Sequence, residues 1–199
     1  MKKILLFVFT IAMLISCDNG ERRKNTESVA IFEIGDSRTD VINTIMSDFT
    51  IGGEQFTIHE VLDKLNFDKN SGKEWITLYE CVYKGQEYYK LRVYFDLSDK
   101  VTRIELVIEK DKMEDMYQRL ESKYGEPCRI SLPREIPGLS TRWEICTVYI
   151  GDIDGVIVTE DSREMIRTHQ DGTTTSEISD VYELIVVTGE EYYELKSFM

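Results

Sequence analysis

The most regular stretch of the chain is an alternation of apolar and polar positions. Tyr89, Leu91, Val93 and Phe95 alternate with Lys90, Arg92 and Tyr94, and Ile104, Leu106 and Ile108 alternate with Arg103, Glu105 and Val107. A period of two with one apolar face predicts antiparallel strands over 89–95 and 102–108, packed on one side. Leu97-Ser98-Asp99-Lys100 supplies the hairpin loop between them. Upstream, residues 75–83 (WITLYECVY) are rich in β-branched and aromatic types and predict a third strand, turned by Lys84, Gly85 and Gln86.

Helical spacing flanks this meander. Val41, Ile42, Ile45 and Met46 predict a helix that starts after Gly35, capped by Asp36 or Ser37, with Asp40 in a box-like position. Gly52-Gly53 marks a turn within 50–57, and Val61, Leu62 and Leu65 mark a second, short helix. Met113, Met116, Tyr117, Leu120 and Tyr124 form the stripe of a third helix, with Asp111 and Glu114 as its capping pair, Gly125 as its stop and Pro127 beyond. Val29-Ala30-Ile31-Phe32 predicts a short strand or extended lead-in, and residues 129–141, with Pro133 and Pro137, a loop. Strands recur at 142–150, 155–160 and 181–188, separated by a polar excursion over 161–180 that forms a protruding hairpin tip or a loose loop; Glu190 to Phe198 closes as a short helix. These elements predict an α+β fold, with antiparallel sheet or sheets and helices packed on one face. Their order suggests two helix–three-strand halves, 36–109 and 111–199, without a readable sequence repeat.

The first residues stand outside this pattern. MKKILLFVFTIAMLIS opens on two lysines, continues in an apolar run over 4–15 broken only by Thr10, and is too short for a spanning helix of about 20 residues. Leu14-Ile15-Ser16-Cys17 resembles a bacterial lipobox: an aliphatic residue, then a small one, then the cysteine. The resemblance implies a signal peptide over 1–16, cleavage before Cys17 and lipid attached to it; an ordinary signal peptide with an incidental cysteine is the alternative. Residues 18–28 (DNGERRKNTES) read as a flexible tether after the lipidated Cys17, leaving 29–199 as the globular body. The expected place is the cell envelope, on the outer membrane, facing the periplasm or the cell surface.

Charge narrows the partners. The 199 residues carry a formal net charge of −13; loss of 1–16 takes the basic residues from 24 to 22 against 37 acids, giving −15. Such a body lacks the basic face that nucleic-acid phosphates require and is repelled by anionic lipid heads. Its expected partners are the membrane, through the lipid at Cys17, and an envelope protein.

Ile34-Gly35-Asp36-Ser37-Arg38-Thr39-Asp40-Val41-Ile42 is similar to the opening of the BamE/SmpA-like lipoprotein domain, and Val93-Tyr94-Phe95-Asp96 through Val101 resembles its strand–turn–strand. That family has two helices before a three-stranded meander, and 35–108 follows the same order. The related β-lactamase-inhibitor-like fold uses such units in tandem, which would suit the second half. Ser47-Asp48-Phe49 stands where the family has Gly-Pro after the first helix, whereas a Gly-x-Pro follows the third helix at Gly125-Glu126-Pro127. The resemblance implies a binding role and supplies no catalytic residue.

Candidate chemistry is sparse. After Cys17, the cysteines Cys81, Cys128 and Cys146 leave one odd thiol, with a disulfide that includes Cys146 as one outcome and buried small apolar residues as the other. No spacing suits a zinc site, and no cofactor is expected. His59 and His169 are isolated, and nothing orients a Cys128–His169 nucleophile pair, so no catalytic residue is assigned. Asp152-Ile153-Asp154-Gly155 begins like a calcium loop, but Arg163 stands at the twelfth position, so a strand-connecting turn is expected. Tyr83, Tyr88, Tyr89 and Tyr94 cluster at one hairpin; Tyr83, Tyr88 and Tyr94 are the candidate interface, exposed tyrosines suiting a protein interface or a sugar-stacking platform, with ordinary strand propensity as the plainer explanation. The functional expectation is a non-enzymatic envelope lipoprotein that binds a protein or serves as an accessory module; the alternative is an inhibitor of a basic envelope hydrolase such as a lysozyme.

Overall fold

The computed structural model describes residues 31–69, 72–134, 142–168 and 173–197. Of the lead-in expected over 29–32, residues 31–32 form a bend and 29–30 lie outside the described residues. Phe32 is nevertheless buried, its ring stacked 6.0 Å from Phe49. Ser37 is extended and caps α1 (Arg38–Asp48): its hydroxyl accepts the Asp40 N–H and donates to the Asp40 carboxylate at 2.6 Å. The helix buries Val41 and Ile45.

The expected turn over 50–57 contains a small hairpin, β1 (Phe49–Ile51) and β2 (Glu54–Gln55), closed by Gly52 and Gly53. Both glycines have positive φ, 57° and 89°, which a side chain would resist. Thr57 and Glu60 then form a reciprocal capping box for α2 (Ile58–Asp63). The short apolar spacing misassigns Leu65, which opens β3 (Leu65–Phe67) and pairs with Ile76.

β4 (Glu74–Tyr83), β5 (Gln86–Phe95) and β6 (Val101–Glu109) form the predicted meander. Ile76, Leu78, Leu91, Val93, Phe95, Ile104, Leu106 and Ile108 are buried along it. Glu80 adopts a left-handed φ of 51°. Beyond it the buried positions switch parity, to Cys81 on β4 and Tyr88 on β5, while the cross-strand register holds. This switch makes Tyr88, not Tyr89, the buried neighbour.

A 3₁₀ turn at Lys110–Lys112 leads into α3 (Met113–Tyr124). Lys112 occupies the cap position and no side-chain bond closes it, so the expected Asp111–Glu114 cap is replaced by the continuous 3₁₀ start. Gly125, at φ 83°, ends the helix by donating its N–H to the Glu121 carbonyl at 2.9 Å.

Among the described residues the second half holds four strands rather than three. β7 (Cys128–Arg134) occupies the start of the expected loop and pairs with β8 (Arg142–Ile150). Pro133 argues against a central strand but not against this one, because β7 lies at the sheet edge. β9 (Asp154–Thr168) and β10 (Thr174–Thr188) pair along their whole length, so the polar excursion forms a protruding hairpin; its tip at 169–172, with His169, lies outside the described residues. The strands form one antiparallel sheet in the order β2-β1-β4-β5-β6-β10-β9-β8-β7, with β3 also on β4. The two halves meet where β10 pairs with β6, from Val181↔Glu109 to Val187↔Arg103.

Buried side chains divide into two clusters. α1, α2 and α3 contribute Val41, Val61 and Leu120 to one, with Ile76, Leu91, Ile104 and Leu184 from the strands. The intervening strand positions Cys146, Val148 and Val187 form the other with Tyr192 and Leu195 of α4 (Gly189–Ser197). Packing of every helix on one face therefore does not describe this fold: β9 and β10 are apolar on both faces, and α4 covers the second set.

Asp152–Asp154 joins β8 to β9 as a turn, and Asp154 anchors it. Its Oδ2 accepts the Tyr124 hydroxyl at 2.7 Å and lies 3.3 Å from Lys123 Nζ, while the Tyr192 hydroxyl donates to the Gly151 carbonyl at 2.8 Å. A Cβ on Gly151 would lie 2.7 Å from Asp154 Oδ1 and 3.0 Å from the Tyr124 ring. Gly151→Ala should therefore cost roughly 1–3 kcal/mol by forcing this packed turn apart. Tyr124→Phe, which removes a single hydrogen bond, should cost about 1 kcal/mol. Urea midpoints read both; an unchanged midpoint for Gly151→Ala would show that the turn is not so packed.

Candidate functional site

The strand alternation that buries one side of β4–β6 leaves a polar lattice on the other. Cross-strand pairing sets it in three rows: Trp75, Tyr94 and Arg103; Thr77, Arg92 and Glu105; Tyr79, Lys90 and Val107. α4 covers the neighbouring β8–β10 part of this face, and among the described residues no helix packs over these rows.

Glu105 holds the lattice together. It is only 6% exposed, yet it receives Lys90 Nζ at 2.7 Å, the Tyr94 hydroxyl at 3.0 Å, Arg103 Nε at 3.1 Å and Arg92 Nη1 at 3.4 Å. Burial alone would push its carboxyl upward, but the ammonium of Lys90, with Arg103 and the Tyr94 hydroxyl, brings it below the ordinary 4.5. Arg103 also reaches Glu191 of α4 at 2.5 Å, and Lys90 lies 3.6 Å from Glu183. Arg92 Nε donates to the Thr77 hydroxyl at 3.0 Å.

Aromatic rings interleave with these cations. Tyr94 lies 5.8 Å from Trp75 and has the guanidinium groups of Arg92 and Arg103 at 5.9 and 5.7 Å from its ring centre. Burial raises the Tyr94 hydroxyl above its ordinary value, so it stays protonated and can donate to Glu105. Tyr79 completes the strip at 56% exposure. Beside it, a cleft of about 330 Å³ opens between the β5–β6 turn and the first turn of α4.

The tyrosines expected at an interface part company here. Tyr94 lies in the strip. Tyr83 packs against the core, 4.9 Å from Phe49, and Tyr88 is 4% exposed, with burial holding its hydroxyl up at about 12. The parity switch at Glu80 turns Tyr88 inward, so it offers no contact surface. Tyr79 and Trp75 were not singled out by sequence, although Trp75, Thr77 and Tyr79 alternate with Ile76 and Leu78. Lys90, Arg92, Arg103 and Glu105 were legible as the polar phase, but not as one network.

Cys17 lies outside the described residues. Cys81, Cys128 and Cys146 are free thiols, and Cys81 and Cys146 are buried, the second of the two outcomes considered for them. Cys81 and Cys146 lie in different core clusters, and burial lifts the Cys81 thiol to about 12. Cys128 is paired across from Val148, and Cys146 from Ile130, which makes the two cysteines diagonal neighbours. Such Cα atoms lie about 7–8 Å apart, beyond ordinary disulfide reach. His59 is an exposed residue of α2.

Glu105→Gln should destabilise the protein by about 3 kcal/mol, because Lys90, Arg92 and Arg103 would lose the nearly buried carboxylate they share. The lowered carboxyl also fixes a pH dependence: its contribution is complete above the ordinary 4.5 and is lost as pH falls through the lowered folded-state value. The stability gap between wild type and Glu105→Gln, read by urea unfolding at pH 7 and at pH 3, should narrow on acidification; a constant gap would show that Glu105 is not held as a charged group. No protein-family model matches the chain, and neither curated proteins nor solved structures give a match.

Proposed function

We propose that the chain is a lipoprotein of the bacterial cell envelope, anchored through lipid on Cys17 in the outer membrane, whose body is a non-catalytic protein-binding module. The observation that carries the binding role is the uncovered strip in which Trp75, Tyr79 and Tyr94 interleave with Arg92 and Arg103. Trp, Tyr and Arg are the residue types that concentrate binding energy at protein interfaces, and here they stand on rigid paired strands. A second reading, inhibition of a basic envelope hydrolase such as a lysozyme, draws support from the charge of −15 that cleavage before Cys17 would leave on 37 acids and 22 bases.

A crosslinked pull-down of the lipidated protein from its own envelope tests the module. Wild type should enrich a protein partner that the Trp75→Ala/Tyr79→Ala double variant, checked for folding by circular dichroism, captures about tenfold less, a difference of about 1.4 kcal/mol. Equal capture by both would remove the strip from the interface. A basic partner lost at high salt would favour the inhibitor reading. Mass spectrometry of the mature N-terminus should show acylated Cys17; an unmodified peptide spanning 10–20 would end the anchor proposal.

A further inference from the structure

The β9–β10 hairpin outruns the strands beside it. β10 pairs with β6 from Val181 to Val187, and β9 pairs with β8 from Gly155 to Val158, yet β9 and β10 pair with each other out to Thr168 and Thr174. Among the described residues, no strand flanks the hairpin beyond Val158 on one side or Val181 on the other. A two-stranded ribbon is at best marginally stable in water, and a strand edge is a template on which another chain can pair.

The exposed edges differ in how they are guarded. β7 ends the sheet with Arg129, Pro133 and Arg134, and β9 beyond Val158 carries Arg163 and Arg167. Proline and cations are common devices against strand addition. β10 from Thr174 to Asp180 (TTSEISD) has neither, and holds the β-branched Thr174, Thr175 and Ile178. This unguarded edge runs for about 23 Å and lies in line with the end of β6.

Its residues select the guest. Ile178 is 76% exposed, so an apolar side chain beside it would leave water. Glu177 and Asp180 are the charged residues of the segment, and both are acids. Lys110 Nζ lies 3.5 Å from Asp180 and 2.7 Å from Glu160, so two carboxylates share one ammonium. A cation brought in beside Asp180 would balance the group, with Lys110 keeping Glu160. A second copy of the same edge would instead set acids against acids. We propose that this edge takes up an extended basic segment of a protein partner as an added antiparallel strand, with a basic residue across from Asp180, an apolar one across from Ile178 and a basic one across from Glu177. Main-chain hydrogen bonds would supply affinity, and the basic-x-apolar-basic order would supply specificity. The surface goes beyond the strip of Trp75 and Tyr79 and stands if that strip binds nothing, because β4 and β10 are not neighbours in the sheet.

The test uses the full chain in micelles of a maltoside detergent and three synthetic heptapeptides: KTVKTVT, the same peptide N-methylated at its three central residues, and ETVETVT. NMR titration reads affinity, and amide hydrogen exchange reads main-chain pairing. KTVKTVT should bind saturably, beyond any binding to empty micelles, and slow exchange within 174–180 while leaving 128–134 unchanged. N-methylation removes N–H groups from both edges of the peptide and keeps every charge; it should weaken binding about tenfold, as should the acidic sequence. Asp180→Lys should weaken KTVKTVT about fivefold; if that variant misfolds, the three peptides decide. Absence of saturable KTVKTVT binding overturns the proposal, as does equal affinity for the N-methylated or the acidic peptide. Protection that falls outside 174–180, or a dimer of the chain that protects 174–180 without peptide, also overturns it.

Discussion

A carboxylate at the centre of β6 governs the arrangement of the polar sheet face. Glu105 is nearly buried, and a buried charge is tolerable only when its partners approach closely enough to replace water. Lys90 and Arg92 from β5, and Arg103 from its own strand, supply that replacement. Their positions follow from cross-strand register: Arg92 stands directly opposite Glu105, and Lys90 one row away. A one-residue slip between β5 and β6 would turn these cations toward the apolar cluster and Leu91 and Val93 toward solvent. The ion cluster and the apolar core therefore enforce the same register from opposite faces.

Arg103 extends this constraint beyond the meander. Through Glu191 it ties the polar lattice to α4, and α4 in turn buries Tyr192 and Leu195 against the second cluster. The C-terminal helix is thus held by an ion pair at its first turn and by apolar contacts further along. Next to Glu191, Tyr192 reaches the Gly151 carbonyl, in the turn that Asp154 and Tyr124 fix from the side of α3. The helices on the two faces are coupled through one short connection between β8 and β9.

The legibility of the sequence followed the strength of local pattern. Period-two alternation in 89–95 and 102–108 placed the meander and its polar phase, because a half-covered sheet imposes that period on every residue. Gly125 stopped α3 as its conformational freedom requires. What escaped was decided by partners distant in sequence. β7 contains Pro133 and reads as loop until its edge position removes the need for that N–H. The capping pair at Asp111 and Glu114 looked sufficient, yet the 3₁₀ turn carried the chain into the helix without it. The alternation set Tyr89 in phase with Leu91, Val93 and Phe95, yet beside the left-handed Glu80 the buried parity changes and Tyr88 turns inward instead.

Charge separates the role of the strip from that of the whole body. The chain is strongly acidic, but the lattice pairs Lys90, Arg92 and Arg103 with Glu105, Glu183 and Glu191. A locally balanced patch adds little long-range field, so attraction or repulsion at distances near the Debye length of about 8 Å comes from the remaining acidic surface. At contact with the proposed partner the order would reverse: the distant acids would be screened, whereas the aromatic rings and already-paired guanidinium groups would meet it directly. A partner of any charge could dock there without stripping solvent from an unpaired ion, because the protein has already desolvated these charges against one another. Acidic surroundings would bias which molecules arrive, and the strip would decide which of them stay.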